Sequence, residues 1–87
     1  MKLLRQKTNP VRAVRYMGMM LTNVPMYVKT IATDDDGRVY GYSCKASDLV
    51  PNEEIDGCFA SKNGSSCTLL AEVSLEGMDF RDTVREV

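Results

Sequence analysis

Residues 26–45, MYVKTIATDDDGRVYGYSCK, set two runs rich in Val, Ile, Thr and Tyr on either side of three aspartates and a glycine. β-Branched and aromatic residues favour strands, and a short glycine-containing break between two such runs signals a hairpin. The stretch therefore predicts strands over 26–33 and 38–45, joined by the acidic turn. The length of that turn decides which side chains share a face. A two-residue turn at Asp36-Gly37 and a four-residue loop from Asp34 to Gly37 both pair odd-numbered with even-numbered positions. Under either, Tyr27, Ile31, Tyr40, Tyr42 and Cys44 form one face, expected to be the core, and Val28, Thr30, Ala32, Gly41 and Ser43 form the other. The second face has little bulk and permits close approach of another layer. Only a three-residue loop breaks this division.

Downstream, Asn63-Gly64 is the strongest short turn dipeptide in the chain and predicts a second hairpin, with Lys62 opposite Ser65. Its core side collects Cys58, Ala60, Cys67, Leu69, Ala71, Val73 and Leu75, with Cys58 and Cys67 as diagonal neighbours too far apart for an unstrained disulfide. Upstream, VRAVRYMGMML at 11–21 reads as a strand. A helix is the competing assignment, because Val14, Met17 and Leu21 recur at helical spacing, but Gly18 and the following TNVP count against it. Residues 1–10 form a basic arm or short leading strand ending at Asn9-Pro10. The segment ASDLVPNEEID is a loop or a single helical turn. The tail after Gly77 suits a short helix, with a charged edge strand as the alternative. Together these give an α+β, mainly β fold: one domain over 1–87, with about five strands in a small antiparallel sheet or partly open barrel and one short C-terminal helix.

Of the 87 residues, 44% are hydrophobic and 26% charged, the balance of a folded domain. The core of so short a chain is thin, and self-association would strengthen it. The basic, proline-interrupted start does not read as a secretory leader, and no apolar run is long enough for a spanning helix. Three cysteines without a C-x-x-C pair suit a reducing compartment. A soluble cytoplasmic protein without a membrane partner is expected, of the compact kind that serves as a bacterial or phage regulator.

The net charge of −1 conceals a strong asymmetry. Residues 1–33 carry Lys2, Arg5, Lys7, Arg12, Arg15 and Lys29 with no acid, whereas residues 34–87 carry five basic and twelve acidic side chains. One reading pairs the basic first strand with later acidic elements, so that the charges offset across a sheet. The other exposes a charged surface to nucleic acid, to an oppositely charged protein, or to a second copy of the chain.

Tests for chemistry are mostly negative. With Gly37 at the sixth position of a calcium-binding loop, Ala32 and Ser43 occupy positions that require carboxylates. GYSCK has Lys45 where a nucleophile elbow requires glycine, and a chain without histidine has no ordinary catalytic triad. Phosphate-binding loops are absent. The residues therefore point to a non-enzymatic protein-binding module, an adaptor, regulator or inhibitor, needing no cofactor or metal. Asp34, Asp35, Asp36, Glu53 and Glu54 are its candidate contacts for a basic partner surface. The cluster Met17, Met19, Met20 and Met26 serves either as core filler or as an adaptable contact patch. The alternative is a single-stranded nucleic-acid binder, with Lys2, Arg5, Lys7, Arg12 and Arg15 on the phosphates and Tyr40 and Tyr42 stacking on bases.

Overall fold

The computed structural model describes residues 1–4 and 10–87. Among these, eight strands form three antiparallel sheets: β1 (Val11–Tyr16), β2 (Met19–Pro25), β3 (Thr30–Thr33), β4 (Arg38–Tyr42), β5 (Leu49–Pro51), β6 (Phe59–Ser61), β7 (Cys67–Glu72) and β8 (Arg85–Glu86). The central sheet has the order β7-β4-β3-β8, and β1-β2 and β5-β6 are separate two-stranded ribbons. The chain is thus mainly β, but it divides into more and shorter strands than expected.

The hairpin at β3–β4 is present, and its loop has three residues. Thr33 pairs with Val39 and Thr30 with Tyr42, so even-numbered positions face even-numbered ones. Gly37 N donates to Asp34 O at 2.9 Å, closing a tight turn, and Gly37 then adopts φ +87°. A turn followed by a left-handed residue is the usual three-residue hairpin connection. The predicted face assignment is therefore wrong. Ile31 lies on the face of Val39 and Gly41, opposite to Tyr40 and Tyr42, which share their face with Thr30 and Ala32.

Both faces are covered, which explains why all four residues of β3 are buried. On one side Ile31 and Val39 pack with Tyr16, Leu21, Val24 and Val28 beneath the β1–β2 ribbon. On the other, Ala32 and Tyr42 pack with Leu49 and Phe59 of the β5–β6 ribbon. Each fully buried aliphatic or aromatic side chain here contributes about 1.5–3 kcal/mol of burial free energy. The small residue expected to admit another layer does so: a Cβ at Gly41 would lie 2.8 Å from a Val28 methyl carbon.

Other expectations change for local reasons. The 11–21 segment is strand, not helix, and it is broken at Met17-Gly18, where both residues have positive φ (50° and 79°) and form a two-residue turn. Asn63-Gly64 lies in a connection, with Gly64 left-handed, but the flanking strands diverge: β6 pairs with β5 and β7 with β4. The predicted second hairpin and the Cys58–Cys67 diagonal do not form. No C-terminal helix is present among the described residues. A 3-10 turn at Phe80–Asp82 leads instead into the short edge strand β8, because Thr83 anchors the segment to β3. A second 3-10 turn occupies Ala46–Asp48. Among the described residues the basic first strand pairs only with β2, so opposite charges are not offset across that pairing.

Candidate functional site

The long direction of the β1–β2 ribbon relative to the central sheet is fixed by two hydrogen bonds. Arg12 Nη2 donates to Val28 O at 2.6 Å, and Tyr16 Oη lies 2.8 Å from Thr33 Oγ1. Residues 10–12 therefore lie with Val28 and Lys29 at one end of β3, and residues 16–19 lie with Thr33 and Asp34 at the other. The first end carries Arg12 and the exposed Lys29; Glu86 also lies there, its carboxylate accepting from Ala46 N. The second end is acidic.

At the acidic end three loops meet. Asp35 N donates to Gly57 O at 2.7 Å, which brings the Asp34–Asp36 turn against the loop carrying Glu53, Glu54 and Asp56. Asn52 Oδ1 shapes that loop by accepting from Glu54 N and Ile55 N. A polar hollow of about 510 Å³ lies between Asp35, Asp56, Asp79 and Arg81. The cations nearby are already engaged: Arg38 lies within 3.8 Å of Glu72 and 3.7 Å of Asp36, and Arg81 forms a 3.0 Å pair with Asp79. Asp79 is held below the usual carboxylate range by its hydrogen bonds from Arg81. Among the described residues, no three acidic or cysteine side chains converge as metal ligands.

Asp34 differs from its neighbours. It is half-buried beside the second core, one carboxylate oxygen is sealed from solvent without a hydrogen-bond partner, and its pKa is raised to about 6 by burial and then by Asp36, against Arg38. An acid whose folded pKa lies above its unfolded value holds more protons when folded, so it lowers stability as pH rises from about 4 to about 6. Asn also starts such turns well, so Asp34→Asn is expected to leave thermal stability unchanged near pH 4 and raise it by about 1 kcal/mol above pH 7, a value reduced for partial exposure. Thermal melts of both proteins across this range test it; parallel pH profiles would show that the buried charge costs nothing.

On the other side of the 75–79 segment an apolar groove of about 420 Å³ opens, walled by Met17, Met19, Val73, Leu75 and Met78. Two tight turns bracket it. Met17 (φ 50°) precedes Gly18, and Glu76 (φ 52°) precedes Gly77, where Met78 N donates to Leu75 O at 2.9 Å. A left-handed conformation costs a non-glycine residue about 1–2 kcal/mol, and such strain concentrates at functional positions. The floor is a satisfied hydroxyl set: Tyr16 Oη donates to Thr83 O at 2.7 Å, and Thr83 Oγ1 accepts from Thr33 N at 2.9 Å. Burial raises the Tyr16 pKa.

The structure thus brings together the five acidic candidates, Asp34, Asp35, Asp36, Glu53 and Glu54, on adjoining loops, and Asp34 is the one turned partly inward. The nucleic-acid candidates are dispersed. Tyr42 is a core residue, 8% exposed, and Tyr40 packs against it with ring centroids 6.5 Å apart. Arg12 is half-buried and engaged, Arg15 is exposed on the outer face of β1, Lys2 is exposed, and Arg5 and Lys7 lie outside the described residues. Sequence reasoning missed Leu75, Glu76, Met78 and Asp79. The available signals were two X-Gly steps, Met17-Gly18 and Glu76-Gly77, and a methionine near each. No helix among the described residues is long and apolar enough to cross a membrane. No family model, curated protein or solved structure matches this chain.

Proposed function

We propose that this protein is a non-enzymatic protein-binding module whose acidic end, with its methionine-walled groove, receives an apolar segment flanked by basic residues. The observation that carries this reading is the adjacency of groove and charge across one short segment: Glu76 and Met78 line the groove, while Gly77 and Asp79 line the acidic hollow behind it. Methionine side chains adapt to varied apolar surfaces, and unpaired acids beside them steer a basic partner and set its orientation. The backbone strain at Met17 and Glu76 is consistent with a groove kept for binding.

The test is affinity capture from a cell lysate, with and without nuclease, using the native chain and a charge-reversed variant (Asp35→Lys, Asp36→Lys, Glu53→Lys, Glu54→Lys). These four side chains are exposed, so folding should persist, which a thermal melt checks. The expected result is a nuclease-resistant complex that the variant binds at least about tenfold more weakly, with slower association at low salt. A complex lost on nuclease treatment, or unaffected by charge reversal, contradicts the proposal.

A further inference from the structure

We infer that Asn63 is a self-modification site, whose side-chain amide is converted on the folded protein into an aspartyl or isoaspartyl carboxylate with water as the only reagent. The Gly64 amide nitrogen, passing its proton to solvent, attacks Asn63 Cγ; a Cγ–N bond forms, the Cγ–Nδ2 bond breaks and ammonia leaves, closing an imide ring. Water then opens that ring. Cleavage at Cγ gives aspartate, and cleavage at the main-chain carbonyl gives the isoaspartyl form, in which the backbone runs through Cβ and Cγ. Either product adds a negative charge to a chain whose formal net charge is −1. The site is separate from the groove and the acidic hollow, and stands without them.

The fold leaves this route open at one of the chain's four asparagines. Asn9 precedes Pro10, whose nitrogen has no proton to lose. Asn23 precedes Val24, which is 0% exposed and paired with Arg12 in the β1–β2 ribbon, and whose branched side chain crowds the approach. Asn52 has its side-chain oxygen engaged by Glu54 N and Ile55 N, which hold it in the loop. At Asn63-Gly64 both residues are exposed, no backbone carbonyl among the described residues accepts from Gly64 N, and a Cβ at Gly64 would find no heavy atom within 4 Å. Without a side chain on the attacking residue the ring closes free of clashes. The Asp36-Gly37 step is hindered by contrast, because Gly37 is buried and its amide donates to Asp34 O. The product is felt nearby, since both ends of the loop are tied: Lys62 N donates to Asp48 O at 2.8 Å, and Ser65 Oγ accepts from Ser43 N at 3.0 Å and Cys44 N at 3.2 Å. The isoaspartyl form inserts one carbon, about 1.5 Å of chain, between these ties and loosens the hold of Ser65 on the segment after β4.

The experiment is incubation of the full chain at mildly alkaline pH, folded and in urea, followed by peptide mapping with mass spectrometry. In the folded chain the peptide carrying Asn63 should show the mass gain of an OH-for-NH2 exchange and one added negative charge, at a rate comparable with that in urea, while the peptides carrying Asn23 and Asn52 keep their mass. Gly64→Ala, which crowds the attacking nitrogen, and Asn63→Gln, whose longer side chain would have to close a larger ring, should both suppress the shift. In the isoaspartyl form, isolated by chromatography, the Cys44 amide should exchange faster than in the native chain while Tyr40 keeps its protection. An Asn63 that stays intact in the folded chain while the unfolded chain converts, a conversion that Gly64→Ala does not slow, or native exchange at Cys44 in the isoaspartyl form would overturn the inference.

Discussion

Replacing Gly37 by alanine should lower the melting temperature by roughly 15–25 °C, more than any other single methyl addition at a turn of this chain. Two costs add. Gly37 has φ +87°, where an alanine is strained by about 1–2 kcal/mol. A Cβ there would also lie 2.1 Å from the carbonyl oxygen of Val73, a backbone atom that cannot rotate away. That carbonyl is held in place because Val73 N donates to Gly37 O at 2.8 Å, so relief of the clash breaks the contact between the β3–β4 turn and the segment after β7. Overpacking of this kind costs about 1–3 kcal/mol. The sum is a large part of the stability of an 87-residue domain, about 4–13 kcal/mol at the usual figure per residue. Gly64→Ala separates the two effects, because Gly64 has φ +77° and no heavy atom within 4 Å of the added Cβ. It should cost the strain alone, and a thermal melt of both variants gives the difference. If Gly37→Ala melts within a few degrees of Gly64→Ala, the close approach to Val73 is not what holds the turn.

The same glycine shows where the sequence is legible and where it is not. Composition placed strands over 26–33 and 38–45, which contain β3 and β4 but overrun them at their outer ends, because β-branched and aromatic runs around a glycine turn carry that information locally. Whether Gly37 ends a two-, three- or four-residue loop depends on the contact with Val73, thirty-six positions away, and that contact decides the face of every side chain in the hairpin. Asn63-Gly64 illustrates the converse. The dipeptide is locally competent to turn, and it does turn, but β6 and β7 find longer-range partners in β5 and β4, so the hairpin that local chemistry favours is not made. Bulges add the same kind of uncertainty: Leu70 is an extra residue between Ala71 and Leu69 in the pairing with β4, which turns it to the first core.

The candidate site was legible by charge and not by shape. Asp34, Asp35, Asp36, Glu53 and Glu54 are all singled out by their sign, and the Asp35–Gly57 hydrogen bond sets their two loops side by side, although Asp34 is turned partly inward. The groove could not be named, because its walls come from residues 17–19 and 73–78, which alternate like ordinary core positions and become a groove only when two left-handed turns hold them apart. The charge asymmetry acquires meaning only from the fold. A basic first third and an acidic remainder would largely cancel if they paired in one sheet. Here Arg12 beside Val28 and Tyr16 beside Thr33 set the ribbon along β3, which leaves Arg12 and Lys29 at one end of that strand and the Asp34–Asp36 turn at the other.

Thr83→Val should produce the second large loss, about 2–4 kcal/mol, although it preserves volume and lies in a segment of little regular structure. The reason is that β8 ends the sheet after only two pairs, Ile31 with Arg85 and Thr30 with Glu86. The next position of the β3 edge, Thr33, is 2% exposed and still needs a partner for its amide. Thr83 provides it with a side chain: Oγ1 accepts from Thr33 N at 2.9 Å and donates to Phe80 O at 2.6 Å, with Thr33 O 3.2 Å away. The hydroxyl thus stands in for the backbone of a longer strand, and the carbonyl of the same residue accepts from Tyr16 Oη at 2.7 Å, tying the edge to β1. Valine leaves the Thr33 amide and the Phe80 carbonyl without this partner, and a buried unpaired group costs about 1–3 kcal/mol. Serine keeps the hydroxyl and loses one methyl group, worth about 0.8 kcal/mol. Amide hydrogen exchange distinguishes the outcomes: in the valine variant Thr33 and Ile31 should lose protection while Tyr40 and Tyr42 keep most of theirs, and the serine variant should exchange nearly as the native chain does. Unchanged protection at Thr33 would mean that the β8 edge is closed by its two backbone pairs alone. The loss should also reach the groove, since Thr33, Thr83 and Tyr16 line it, so under the proposed function the valine variant should bind its partner more weakly while all its acidic side chains remain in place.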